Sequence, residues 1–580
     1  MPTSGPVQQV DVLQEGAGPA MDNPQPIPVP PGIGWKPSRI VTGFLAASTS
    51  FANNHAVARD YLAPATRKSW NPGWAATVVG SPKITIAPRI QKIVPGGQQT
   101  ATVNVVGQRL AALTNSGQYV ISAGSKETDH FTLVNISGQW RISRLPSQTS
   151  LILEKADFLR DYKPRNLYFF TPAGTGLVPD PVFVPQQATN AEPVHGLVEA
   201  LRKAPTGWLS GATTTAFPAG TKLLGVRVGS NSAVVDLGGS AAKASPNVLS
   251  AMAAQLVWTL TSSSYSPSDI QSVQLLINGQ VKQPLDQLQL PRNYSSLMRT
   301  RIASNAYFLS SVGGVKVLSG SAQSATQLPW PTGINQYPFT AIAVDPGGGQ
   351  IAGIFAEPKG CLVYSGALGH GASLSSRQIN SGSCTSLSWD TQGDIWVAAG
   401  THVWMLPAGG GAAVPVFLPG TPPGGGPSAS LPPGDTIAAL RVAPDSVRVA
   451  MIIHRADKPA EVQLGAISRS GGGKDVQKTY IGQNGASVAI GTDVLDPTAL
   501  SWYDADHVLV LGQDHGPQLY DVPLTGGAST PIVTDGGTVS ITTAGSELVA
   551  GTTRGQILMS SGPDPTWRQV GQGRVPAFPG

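Results

Sequence analysis

Five segments in the second half of the chain repeat one pattern: "TAIAVDPGGGQIAGI", "TSLSWDTQGDIWVAA", "AALRVAPDSVRVAMI", "TALSWYDADHVLVLG" and "TVSITTAGSELVAGT". Each reads as strand, polar turn, strand. The equivalent positions Val344, Trp389, Val442, Trp502 and Ile541 recur about every 40 to 60 residues. A four-stranded sheet of that length cannot bury both of its faces alone, so successive sheets must stack around an axis, which is a β-propeller. Five blades are legible, and Tyr307 to Leu318 together with the C-terminal tail can supply a sixth, so five or six blades are expected. The two longest spacings contain "PAGGGAAVPVFLPGTPPGGGPSASLPPG" and "SRSGGGKD", which read as loop insertions.

The remaining length implies further domains, because 580 residues exceed what one core organises. Gly (68) and Pro (50) are abundant while charged residues make up only 12%, a balance that favours turn-rich β structure over long helices. The fold class is mostly β with α+β, in four parts. Residues 1–37 form a proline-rich tether. In residues 38–150, helical faces of Ile40, Val41, Phe44 and Leu45 and of Val57, Tyr61 and Leu62 precede a meander of strands, as in a small cone-shaped (NTF2/cystatin-like) α+β domain. Its Trp70, Trp74 and Trp140 read as core. Residues 160–286 form a second α+β unit, and residues 303–580 form the propeller.

Within the second unit, Val194, Leu197, Val198 and Leu201 make one helical face. Ser245 can cap a helix that has Pro246 at its first position, with Val248, Met252, Leu256 and Leu260 along one side. Val273, Leu275 and Ile277 then alternate with polar residues up to Asn278-Gly279, a pair that favours a tight hairpin turn. His195 has no second candidate ligand near it in sequence, and a solvated or capping role is expected.

Little in the chain points to chemistry. Net charge is +5, from 38 Lys+Arg against 33 Asp+Glu, and the basic residues are scattered; Arg299 and Arg301 come nearest to a cluster, so no nucleic-acid partner is expected. There is no G-x-S-x-G elbow, H-E-x-x-H, dinucleotide fingerprint or P-loop, since Lys474 is followed by Asp475 where Ser or Thr is needed. Ser388 to Trp396 resembles an Asp-box turn with one residue too many, which is a hairpin staple without catalytic role. Asp345, Asp390 and Asp445 fall at inter-strand turns, where bonding to turn amides is the expected role. His402, His454, His507 and His515 are spread over several blades. No enzyme activity, cofactor or metal is expected. Cys361 and Cys384 are the two cysteines; with His370 as the single histidine between them they do not make a zinc pattern, and they read as one disulfide in an oxidising compartment or as two unrelated buried thiols.

Several strings, among them "SRIVTGFLAAST", "ARDYLAPATRKSW", "FTLVNISGQWRIS", "LYFFTPAGTGLVPDPVFVP", "LVEALRKAPTGWL", "AQLVWTLT" and "VQLLINGQ", resemble the actinobacterial LpqB lipoprotein family. The resemblance implies that the second α+β unit is a GerMN domain, the module also found in spore-germination proteins, ahead of a C-terminal propeller. It also implies a signal peptide and a lipidated cysteine that anchors the protein on the outer face of the cell membrane. The sequence opens "MPTSGPVQQV" without a lipobox, so that cysteine is expected upstream of Met1. The family further implies a partner, the extracytoplasmic sensor region of a histidine kinase like MtrB. Binding there would modulate two-component signalling through MtrA in envelope homeostasis, division and development. Two other readings remain: a non-catalytic envelope protein that binds peptidoglycan or another glycan, marked by exposed aromatics, and a propeller hydrolase, marked by carboxylates clustered at the channel mouth.

Overall fold

Alternating buried residues along short strands dominate the computed structural model, and the five repeat positions read from sequence lie on the inner strands of five propeller blades. Described are residues 27–86, 92–93, 99–122, 124–174, 176–186, 191–261, 270–285, 305–311, 314–319, 325–328, 338–369, 373–419, 428–470, 478–482, 487–561 and 566–580. Most of the tether, Arg299, Arg301, His370 and Lys474 fall outside them.

The propeller has six blades among the described residues. Inner strands Ala341–Val344, Cys384–Trp389, Thr436–Val442, Ala499–Trp502 and Thr538–Ala544 each begin a blade whose strands pair antiparallel outward. Val344, Trp389, Val442, Trp502 and Ile541 are all buried on these inner strands, because each packs against the neighbouring blade. The final strand, Arg568–Ala577, serves two blades. Its first half pairs with Gln556–Ser561, and its second half pairs with Asn305–Ser310, which carries Val315–Ser319 and Thr326–Gln327 beyond it. The ring is thus closed by hydrogen bonds between the first and last strands of the domain, which leaves no open edge at the junction. Cys361, on the third strand of the blade beginning at Ala341, is disulfide-bonded to Cys384, the first residue of the next inner strand.

The first domain wraps a sheet of order Gln139–Arg144, Lys126–Ile136, Gln99–Leu113, Ala76–Ile86, Leu151–Glu154 around helix Pro37–Ser48. Ile40, Val41 and Phe44 of that helix are buried against Val78, Val103, Phe131 and Leu133. The last strand lies beyond residue 150 but pairs in parallel with Ala76–Val79, so the domain's sheet runs on to Glu154.

In the second domain, Ser232–Gly239 pairs in parallel with Ser272–Ile277, and the helix Pro246–Thr261 makes the crossover. The helix is less one-sided than its sequence suggests, for Met252 through Leu260 are buried without a break. Met252, Leu256 and Leu260 face the sheet, while Ala254 and Trp258 face Tyr168, Phe170 and Leu177 of the hairpin Tyr162–Phe170/Leu177–Pro185. Asn278 and Gly279 both take positive φ, at 49° and 77°, as the tight hairpin between Ser272–Ile277 and Gln280–Leu285 requires. No helix among the described residues is long and apolar enough to cross a membrane.

Candidate recognition surface

The three domains are joined by buried seams that fix which faces remain open. Asn166 and Asp506 are both almost completely buried, and Asn166 Nδ2 donates to Asp506 Oδ1 at 2.6 Å, from the second domain to the propeller. Beside them the fully buried Arg448 is paired with Asp445 at 2.7 Å and lies over the ring of Trp502. Arg448 Nη1 donates to the carbonyl of Ala505 at 2.8 Å and, more weakly, to that of Pro179 at 3.5 Å. On the second-domain side, the carboxylate of Asp180 accepts from Thr206 N and Oγ1, both at 2.7 Å, and from Trp208 Nε1 at 3.2 Å. Burial pushes the Asp180 carboxyl up to about 6, against the pull of those donors and of Arg448. Val178, Trp208, Leu209 and Ala212 complete the seam by sharing one apolar cluster with Ala443, Val447 and Trp502 of the propeller.

The first domain docks as closely. Phe183 N donates to Gly117 O at 2.8 Å. Trp74, expected in the core of its own domain, instead packs against the second domain: a Cβ at Gly196 of helix Ala191–Lys203 would sit 2.2 Å from Trp74 Cζ2. Trp70 is buried in its own domain, as expected, and Trp140 is partly buried there. Between the two domains lies a cavity of about 760 Å³ lined by His55, Trp74, Glu192 and His195. His195 therefore does have a second histidine nearby. Burial, however, drives the His55 imidazole down to about 4, despite backbone hydrogen bonds and with Arg59 adding to the effect. No group of three His, Cys, Asp or Glu placed to hold a metal occurs among the described residues.

The turn aspartates act as staples. Asp390 Oδ1 accepts from the amides of Gln392 and Asp394, both at 2.9 Å, and its Oδ2 from Trp396 Nε1 at 3.0 Å and Arg469 at 2.8 Å. Asp445 Oδ1 accepts from Val447 N and Arg448 N, and Asp345 Oδ2 from Gly347 N. Asp504, which sequence reading passed over, does the same for Asp506 and His507. Its signal was present in "YDADH", an aspartate in the same inter-strand turn of the repeat. His402, His454, His507 and His515 stay on separate strands and turns; His507 is tied to Asp504, His515 to Asp514, and His402 to Ser381 and Thr401. Gln255 holds the second domain together by accepting from Ala216 N at 2.6 Å and donating to Tyr168 O at 2.7 Å. Trp258 packs on Tyr168, and Asp236 accepts from Gly279 N, so all three are packing and turn residues.

These seams use the turns after the inner strands, at Asp445 to Arg448 and at Ala505 and Asp506. The opposite ends of the same strands surround a cavity of about 290 Å³ on the propeller axis, lined by residues of all six blades, including Ala341, Ser386, Arg441, Leu500, Ser540 and Arg574. Val539, half exposed, stands at its rim. Among the described residues, no Asp or Glu side chain borders this cavity or the one of about 70 Å³ below it, which Arg441 also lines.

Comparison with known proteins assigns each part. A family model described as "Lipoprotein LpqB, N-terminal domain" matches residues 30–159, one described as "Sporulation and spore germination" matches residues 166–283, and "Lipoprotein LpqB beta-propeller domain" matches residues 316–579. Curated relatives are similar along almost their whole length. Lipoprotein LpqB of Streptomyces avermitilis is 30% identical over 95% of this chain and 91% of its own, and that of Streptomyces coelicolor is 29% identical over the same shares. Lipoprotein LpqB of Thermobifida fusca is 29% identical over 96% of this chain and 92% of its own.

Proposed function

The chain belongs to the LpqB lipoprotein family, and from that premise we propose that it is a membrane-anchored extracytoplasmic accessory protein that binds the sensor region of an MtrB-like histidine kinase. Binding energy alone suffices for such a role: a partner that prefers one state of the kinase shifts its population by that difference in affinity, with no chemistry of its own. The observation that carries this reading is the buried seam of Asn166, Asp506, Arg448 and Asp445. It makes the propeller and its neighbour one body and leaves the axial face at Val539 and Arg574 turned away from the joint. A lipid anchor on the N-terminal side would hold that body at the membrane surface, where a sensor domain lies within reach. The Cys361–Cys384 bond agrees with an oxidising, extracytoplasmic setting. The glycan-binding alternative gains no support from the surface, since the large exposed apolar side chains among the described residues, such as Leu224, Leu495, Val533 and Val539, are aliphatic.

The test is calorimetric titration of the full chain into the purified extracytoplasmic region of the kinase. Saturable binding of one chain per sensor domain is the expected result. Absence of heat and of co-elution would refute direct recognition.

A further inference from the structure

The axial cavity of the propeller holds an arginine that pairs with no carboxylate among the described residues. Arg441 Nη1 donates to Ser386 Oγ at 2.6 Å, to Leu440 O at 2.8 Å and to Leu387 O at 3.1 Å. These contacts all run through Nη1, and Arg441 lines the cavity. Burial pushes the guanidinium down to about 10, with no neighbouring carboxylate to raise it again, so it is still a cation at neutral pH. Three other buried or part-buried arginines of the domain are different. Arg448 pairs with Asp445, Arg455 with Asp435 and Glu461, and Arg469 with Asp390 and Asp394.

A partly buried cation without a counter-charge favours an anion beside it. Arg574 lines the same cavity nearer to solvent and adds a second positive charge, and the hydroxyl of Ser540 adds a neutral polar group. A guanidinium presents a planar fork that matches the two oxygens of a carboxylate or phosphate, and a narrow channel with low-dielectric walls strengthens that attraction. We infer that the propeller channel binds the oxyanion group, carboxylate or phosphate, of a small ligand, with Arg441 at the base of the site and Arg574 at its entrance. The cavity of about 290 Å³ suits a small organic anion, and the apolar Ile342 and Leu387 suit a short hydrocarbon body.

Titration of the full chain with sodium succinate and, separately, with inorganic phosphate in a low-chloride buffer tests this. Saturable one-site binding of at least one probe, weakened by added salt, is expected; a response to succinate alone assigns a carboxylate ligand and to phosphate alone a phosphate ligand. Arg574→Gln should weaken binding about tenfold and Arg441→Gln should abolish it. Arg441 also ties two inner strands together, so the exposed Arg574 carries the test independently of folding. Absence of binding of both probes up to ~10 mM, or equal binding by wild type and both variants, would overturn the inference.

Discussion

Asn166 and Asp506, 340 residues apart, meet in a buried hydrogen bond of 2.6 Å that joins the GerMN domain to the propeller. Removing the donor by Asn166→Ala leaves a buried carboxylate oxygen without that partner. Such a loss costs about 2 kcal/mol. Because the contact lies at the joint, the cost should appear as earlier opening between the two domains. Chemical denaturation followed by limited proteolysis checks this, with separation of the propeller from the preceding domains expected at lower denaturant than in wild type.

The Cys361–Cys384 bond closes a loop of 23 residues across the first two blades. Constraining the unfolded chain over such a loop contributes about 3 kcal/mol. The double substitution Cys361→Ser, Cys384→Ser, or reduction of the wild type, should lower the propeller's unfolding midpoint accordingly. Circular dichroism melts with and without reductant give the comparison. Reductant should leave the double variant unchanged.

Gly196 is required by a close approach. A methyl there would lie 2.2 Å from Trp74 Cζ2, so the indole, which also lines the cavity between the two domains, would have to shift out of its packing. Gly196→Ala should destabilise by about 2 kcal/mol even though alanine is the better helix former. Combining it with Trp74→Ala should cost less than the sum of the two, and a double-mutant cycle by urea unfolding reads that coupling.

His507 gives the propeller a pH dependence of known sign. Burial opposes its charge, but the hydrogen bond to Asp504, together with the charges of Asp504, Asp521 and Asp506, outweighs that and raises its pKa from 6.5 to about 9. The folded state thus binds the proton more tightly than the unfolded chain. The stabilisation is complete below pH 6.5 and is lost as pH rises through about 9. Asp504→Asn removes the main source of the shift, so its stability should fall less than that of wild type between pH 7 and pH 9.5. Midpoints measured across that window decide it.

How much of this was legible in sequence depended on the range of the contacts involved. Alternation within the inner strands is local, so Val344, Trp389, Val442, Trp502 and Ile541 marked five blades. The sixth was legible as an option, from Tyr307 to Leu318 with the C-terminal tail, but not as a repeat, because its inner strand is the second half of Arg568–Ala577 and its other strands begin at Asn305. The helix from Pro246 was visible as a helix, but its second buried face exists only because the hairpin with Tyr168 and Phe170 folds over it. Trp74 looked like core for the same reason: nothing nearby says that the covering surface comes from Gly196. Asp390 and Asp445 were readable as turn staples since they bond amides a few residues on. Arg441 carries no local signal at all, because its environment is assembled from strands of all six blades.

The central claim is that a jointed but rigid body presents the propeller's axial face to a sensor kinase, and one titration tests it most directly. The full chain and two surface variants, Val539→Arg at the channel rim and Leu224→Arg on the GerMN sheet, are titrated into the purified extracytoplasmic region of the kinase. Both positions are more than half exposed or nearly so, at 50% and 53%, so neither change disturbs a core. The account predicts saturable binding by wild type and Leu224→Arg, with at least tenfold loss for Val539→Arg. Equal binding by Val539→Arg and wild type, or no binding by wild type, would contradict it.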